Sequence, residues 1–294
     1  MKRQQSSPLA SYSEQNTLRF KGIYFLVGFI IKVDRRNNPY AEIRISDATS
    51  TQILYCRDQT CIDGDVQPNM MVHIEGRLEH IGKRPYFSCK YISACTQKEL
   101  KLRHLQQLPS WLSHNLNSLN RLLKLVASIN TCELQDFVCS VILQKDVAIK
   151  FITCPASINN HHTYTGGLLD HSVGVATNFA ATKAKDSVLH DLAIVAGLLH
   201  RVGITRLLTS DGCKTDIGIL SDEESYNLEV CEKPLLVLFE KNKWAADQIY
   251  QMLACNIGIT ESSFSPATQL AKQLQEHYSD SILEDKFNAT NLIK

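Results

Sequence analysis

From residue 22 to 93 the chain alternates apolar and polar positions with a period of two, the pattern of strands that bury one face. Residues 23–33 form a long run of β-branched and aromatic side chains, closed by the turn Arg35-Arg36-Asn37-Asn38-Pro39. Over residues 40–45 the alternation is strict. Ala41, Ile43 and Ile45 share one face, and Tyr40, Glu42 and Arg44 the other. A turn at 46–50 leads to a third strand at 52–56, and the segment 57–67 is polar and irregular. A fourth strand follows at 70–78, and Gly82-Lys83-Arg84-Pro85 turns the chain into a fifth at 86–92. Five short strands, with glycine inside one of them, predict a small closed barrel over residues 19–95.

After residues 96–109, which read as a linker, the period becomes helical. Leu112, Leu116, Leu119, Leu122, Leu123 and Val126 predict an amphipathic helix at 110–127. Asn130 and Glu133 have the spacing of a capping box, opening a second helix through residue 141. Residues 151–160 contain Pro155 and read as a loop. Thr165 is placed to cap a helix over 166–185, and Asp186 or Ser187 to cap the next, which runs to about residue 203. Ser221-Asp222-Glu223-Glu224 reads as a helix start, 235–239 and 245–255 as helical segments, and Ser265-Pro266 as the cap of a helix through His277. The expected organisation is a flexible tail (1–18), a β-barrel domain (19–95), a linker (96–109) and an all-helical domain (110–294).

Composition changes this picture little. With 294 residues, 44% hydrophobic and 21% charged, the chain can bury two cores. No window approaches the roughly 18 unbroken apolar residues of a membrane span, and residues 1–7 lack the apolar centre of a signal peptide. A cytoplasmic protein with no membrane partner is expected. The ten cysteines contain no C-x-x-C pair, so they read as reduced residues on apolar faces, Cys132 and Cys139 among them. Charge is uneven. Residues 1–103 carry 16 Lys and Arg against 10 Asp and Glu, whereas residues 104–294 carry 15 against 20. A basic first half suits a polyanion, and an acidic second half suits a protein partner. A barrel edge or an exposed helix face would also allow self-association.

The strand region, with "G-x-I", "V-D-R-R", "Y-A-E-I-R-I-S-D-A-T" and "P-N-M-M-V-H-I-E-G-R-L", resembles an OB-fold of the nucleic-acid-binding type. The resemblance implies single-stranded DNA or RNA on the face of strands two and three and in the adjoining loops. Tyr40, Tyr55 and Tyr86 have the chemistry to stack on bases. Arg35, Arg36, Arg44, Arg57, Lys83 and Arg84 have the charge to neutralise phosphates.

The helical region carries "H-H-T-Y-T-G-G-L-L-D-H-S-V-G-V-A" from His161 and "A-G-L-L-H-R-V-G" through His200. These strings resemble the HD-domain metal phosphohydrolases, closest to the YhaM-type 3′–5′ exoribonucleases, which place an OB-fold before the HD domain, and to the HD domain of MobH/TraI-type conjugative relaxases. The resemblance implies a helical HD fold in which a first His, a His-Asp doublet and a later Asp hold one or two divalent metals. Carried onto this sequence, those positions are His171, then His200 with Arg201, then Asp280. Arg201 stands where the doublet carboxylate belongs, and a guanidinium offers no lone pair and repels a cation. No histidine lies between His200 and His277, and the family's H-H-G region is Ala254-Cys255-Asn256-Ile257-Gly258 here.

The expectation is an HD fold with a dismantled metal site and no cofactor, in which Arg201 pairs with Asp170, Asp280 or a bound phosphate. Such a chain is a single-stranded nucleic-acid-binding protein whose helical domain is a scaffold or partner surface. Two alternatives remain. One is an active 3′–5′ exonuclease or phosphohydrolase holding manganese, iron, magnesium or zinc through His161, His162, His171, His200 and Asp280. The other is an accessory protein of conjugative DNA processing on a bacterial mobile element.

Overall fold

Alternation along the first strand places Phe20, Tyr24 and Leu26 inward, and the neighbouring strands add Ala41, Ile43, Ile45, Leu54, Val72, Ile74 and Ile92 to the same buried core. The computed structural model describes Leu9 and residues 19–158, 161–183, 185–220, 226–254 and 268–291. The strands are β1 (Arg19–Val33), β2 (Pro39–Ser46), β3 (Thr51–Cys56), β4 (Ile62–Asp63), β5 (Met70–Ile81) and β6 (Arg84–Ala94). Their order is β3-β2-β1-β5-β6-β4, and a parallel pairing of β3 with β6 closes the sheet on itself. β1 pairs with β5 through its first half and with β2 through its second. Register shifts at Leu26/Gly28 and Glu75/Gly76 supply the bends that closure requires. The five expected strands form an OB-like barrel, and the short β4 lies in the segment expected to be irregular.

Two expectations at the barrel's margins change. Leu9, placed in the flexible tail by its sequence context, is buried in the barrel core, and its N–H donates to Asp47 Oδ2 at 2.7 Å. The 96–109 segment, read as a linker, contains local helical structure. Thr96 and Glu99 form a capping box, Glu99 also meets His73, and a helical turn α1 (Leu102–Leu105) follows. Leu100, Leu105 and Leu108 are buried there. The chain divides into one compact unit of Met1–Trp111 with Leu143–Ala148, and a second of Leu112–Ile142 with Ile149–Lys294.

The remaining helices are α2 (Leu116–Ser128), α3 (Cys132–Ile142), α4 (Ala148–Thr153), α5 (Gly167–Ala181), α6 (Ser187–Leu199), α7 (Ile204–Leu207), α8 (Asp216–Leu220), α9 (Tyr226–Lys241), α10 (Lys243–Ala254) and α11 (Gln269–Asn291). The α5–α6 pair is the centre of the second unit; α2 and α11 pack on α5, and α10 on α6. Asn115 caps α2, so that helix starts later than the leucine pattern suggests. The start of α3 is not closed by an Asn130–Glu133 box. Asp191, wholly buried on α6, accepts from Asn130 N, Thr131 N and Thr131 Oγ1. That carboxylate supplies from 60 residues away what the local sequence was expected to supply.

Asp186 caps α6 as anticipated, accepting from Val188 N and Leu189 N. Phe151 belongs to α4 rather than to a loop and is fully buried. The stretch Ser187–Leu207 is long and apolar enough to span a membrane by length and composition, and 83% of that window is buried within the fold, as in a core helix. Cys132 and Cys213 are exposed rather than packed; the nine cysteines of the described residues are all free thiols. The segments 221–225 and 255–267, with the expected caps at Ser221 and Ser265 and the Cys255–Gly258 counterpart, lie outside the described residues.

Candidate nucleic-acid interface and histidine pocket

β3 pairs antiparallel with β2 on one side and parallel with β6 on the other, so these three strands lie side by side where the sheet closes. Outward side chains on these three strands include Tyr40 on β2, Tyr55 on β3 and Tyr86 on β6. Their rings lie in a row, with centroids 6.0 Å and 6.1 Å apart. The rings tilt by 57° and 61° to one another, so the row offers separate aromatic faces rather than one flat platform. Each is half-buried, its inward neighbours Ala41, Leu54, Cys56 and Phe87 lying in the core. The three positions singled out in the sequence for their aromatic chemistry lie beside one another.

Charge surrounds the row. Arg35 and Arg36 are exposed in the β1–β2 turn, which Asp34 holds by accepting from Arg36 N and Asn38 N at 2.8 and 2.9 Å. Lys83 and Arg84 are exposed at the β5–β6 turn, and Arg57 follows β3 within electrostatic reach of Asp34 and Tyr86. Arg44 lies on the same face, 3.6 Å from Glu42. Two further cations were missed in the sequence. Lys32 reaches Glu42 at 2.5 Å and Lys90 reaches Glu79 at 2.6 Å. Lys90 was legible in principle, since the period of two that turns Tyr86 outward does the same for residue 90. Lys90 and the Tyr86 hydroxyl together hold the Glu79 carboxyl below its ordinary range, and burial with the Glu79 contact raises the Tyr86 phenol. A phosphate docking here would exchange these carboxylate partners for its own oxygens, a substitution that favours Arg and Lys already held in place.

In the helical unit the two motif strings meet. Gly167 opens α5 where a Cβ would lie 2.0 Å from the His162 carbonyl oxygen, so only glycine lets the preceding loop fold back on the helix. That carbonyl accepts from Ala156 N at 2.9 Å, and His162 itself sits at φ 47°. At Gly197 a Cβ would lie 2.5 Å from the Cα of Ala176, so α5 and α6 cross with their backbones nearly touching. His171 and His200 are thereby brought together, Nε2 to Nε2 at 3.0 Å, with the His161 and His162 rings 5.0 and 5.2 Å from that of His171.

Proton positions follow from the partners. The Gly197 carbonyl only accepts, so His200 Nδ1 carries a proton and donates to it at 2.8 Å. Neutral His200 then accepts at Nε2 from His171 Nε2–H, and Ser281 Oγ–H donates to His171 Nδ1 at 3.0 Å. Burial pushes His200 down to about 3, with Arg201 adding to the effect; burial, His200 and Arg201 push His171 well below its ordinary value. Both imidazoles are neutral near pH 7.

Arg201 points into this pocket, as expected, but meets different partners. Its Nη1 donates to Tyr278 Oη at 2.8 Å and approaches His161 Nε2 at 3.3 Å, and the guanidinium lies 5.6 Å from the Tyr278 ring centre. Asp170 is turned toward Asn115 Nδ2 at 3.1 Å and Tyr164 Oη at 3.0 Å. Asp280 is exposed, and the α11 side chains that face the histidines are Tyr278 and Ser281, three residues apart on one helix face. Neither residue was singled out in the sequence, where Asp280 drew attention by its chemistry alone. Among the described residues no group of three or more His, Cys, Asp or Glu side chains is arranged to hold a metal ion. Asp170 is thus engaged by Asn115 and Tyr164, Asp280 is exposed, and a guanidinium lies beside the imidazoles.

Against known proteins, the TraI_2 family model, described as "Putative helicase", matches residues 104–197. The matched stretch contains His161, His162 and His171 and stops short of His200. A search of curated proteins returns no match. Among solved structures, the mitochondrial single-stranded DNA-binding protein Rim1 from S. cerevisiae is similar with a TM-score of 0.22 and 14% identity, over 26% of this chain and 95% of that one.

Proposed function

We propose that this chain binds single-stranded nucleic acid through the Tyr40–Tyr55–Tyr86 face of its barrel, and that its helical unit is an HD-type fold that has lost its metal chemistry and serves as a scaffold or partner surface. The observation that carries the first part is the tyrosine row with cations on its face and at both adjoining turns. Aromatic faces accept any base, and the cations follow the backbone, so the interaction is tolerant of sequence and sensitive to salt. Support for the second part is Arg201, whose guanidinium reaches His161 and Tyr278 beside the buried His171–His200 pair. The match of residues 104–197 to a model described as a putative helicase supports a nucleic-acid setting for the chain.

The test is fluorescence anisotropy with a labelled single-stranded oligonucleotide, DNA and RNA in parallel, over a range of salt. Binding is expected to weaken steeply with salt and to be indifferent to chelator. Arg35→Ala with Arg36→Ala is expected to lower the slope of log K against log salt by about 1.4, since each phosphate contact on a single strand contributes about 0.7. No binding at low salt would sink the proposal.

A second reading, a metal-dependent phosphodiesterase using His161, His162, His171 and His200, has in its favour the 3.0 Å approach of two imidazole nitrogens. Arg201→Asp separates the two readings. If the pocket is a dismantled site, the wild-type chain takes up no divalent ion, and the substitution, which replaces a cation by a carboxylate, yields uptake of about one manganese or zinc per chain. Stoichiometric metal in the wild-type protein, with 3′-end degradation abolished by His171→Ala, would establish the second reading instead.

A further inference from the structure

The closure of the barrel brings together three thiols that play no part in the surface described above. Register across β3 and β6 pairs Leu54 with Phe87 and Tyr55 with Ser88, so the next residues along, Cys56 and Cys89, lie side by side. Both point inward and are almost wholly buried in the barrel core, with Cys61 packed against that core from the half-buried turn after β3. Cys56 is in hydrogen-bonding contact with both Cys89 and Cys61, and its Sγ also meets Asp58 O at 3.1 Å. Adjacent strands run about 4.8 Å apart, inside the Cα separation that a disulfide spans. Cys61 forms the side of the cluster nearest water.

We propose that this cluster is an oxidation site, in which a peroxide converts Cys56 and Cys89 into a disulfide that staples the β3–β6 seam. The Cys56 thiolate attacks one peroxide oxygen, the O–O bond breaks, and the departing hydroxide takes a proton to leave as water. Cys56 is then a sulfenic acid. The Cys89 sulfur attacks Cys56 Sγ, the S–O bond breaks as the S–S bond forms, and the hydroxyl leaves with the Cys89 proton as a second water. Two thiols are oxidised and one peroxide is reduced. The environment favours this division of roles. The Cys89 contact pulls the Cys56 thiol down to about 7, while the same contact and burial push Cys89 up. Because Tyr55 precedes Cys56 and the Tyr86 ring lies beside Tyr55, the staple also fixes the aromatic row.

The experiment uses the full chain carrying Cys132→Ser and Cys213→Ser, which removes the two exposed thiols among the described residues. After treatment with hydrogen peroxide and alkylation, peptide mass spectrometry without reduction is expected to find Cys56 joined to Cys89. The barrel's thermal midpoint is expected to rise by about 5 °C, reversibly with a thiol reductant. The link should survive Cys61→Ser and vanish with Cys89→Ser. A Cys56–Cys61 link in place of it, over-oxidation of Cys56 without a link, or both thiols unmodified would each overturn the proposal. None of these outcomes depends on whether the barrel binds nucleic acid.

Discussion

Tyr55→Ala is expected to weaken single-strand binding by about tenfold or more, because stacking on an aromatic side chain is worth about 1–3 kcal/mol per base. Tyr55 is the middle ring of the row, with Tyr40 and Tyr86 on either side at about 6 Å. Removing it leaves a gap that no neighbour fills, and a base stacked there loses its partner without gaining another. The barrel should remain intact, since Tyr55 faces outward and its neighbours Leu54 and Cys56 hold the core. Tyr55→Phe keeps the ring and should keep the affinity, which separates stacking from hydrogen bonding. The measurement is the anisotropy titration at fixed salt, with unchanged circular dichroism as the control for folding. Affinity equal to wild type in Tyr55→Ala would show that the row is not the binding face.

The second large effect is acid instability of the helical unit. His171 and His200 are buried and neutral, with folded-state pKa values below the ordinary 6.5, His200 at about 3. In the unfolded chain both protonate near pH 6.5, and in the folded chain neither does until much lower. Between those values the unfolded state binds more protons, so stability rises with pH and is lost as pH falls below about 6.5 toward about 3. A buried imidazole that stays neutral contributes about 1.4 kcal/mol per pH unit within its window, so both act in the same direction and the midpoint falls steadily as the pH drops below about 6. Urea unfolding at a series of pH values, followed by helical circular dichroism, checks this. A midpoint that does not move between about pH 7 and pH 5 would mean that these histidines are charged or exposed. His104 in the barrel unit, pushed down to about 4 by burial, adds a smaller dependence of the same sign to that unit.

The sequence and the structure diverge in a consistent way. Alternation put Tyr40, Glu42 and Arg44 on one face of β2 and Ala41, Ile43 and Ile45 on the other, and the latter three are buried in the barrel core. The spacing of Asp186 before an apolar run identified a true cap. Residue chemistry also led to Arg201, which does point among the histidines. The partners did not follow. Arg201 was expected to meet Asp170, Asp280 or a bound phosphate, and one partner that the sequence did not suggest is Tyr278, 77 residues on. Asp280 was chosen because aspartate is the usual ligand, yet the rotation of α11 presents Ser281 one residue later. The start of α3 was assigned a local cap, and its real one is Asp191 on another helix.

What the sequence determined by itself was therefore the division into an OB-like barrel and a helical region, and which side chains along each strand look outward. Those properties depend on backbone period and on interactions across a few residues, and both are written in consecutive letters. What only the tertiary structure decided was company: three tyrosines in a row across β2, β3 and β6, three thiols at the seam, and histidines 161, 171 and 200 around one arginine. Contacts of that kind depend on which elements pack together and at what rotation. Here Gly167 and Gly197 set that packing by allowing backbones to approach where any side chain would collide.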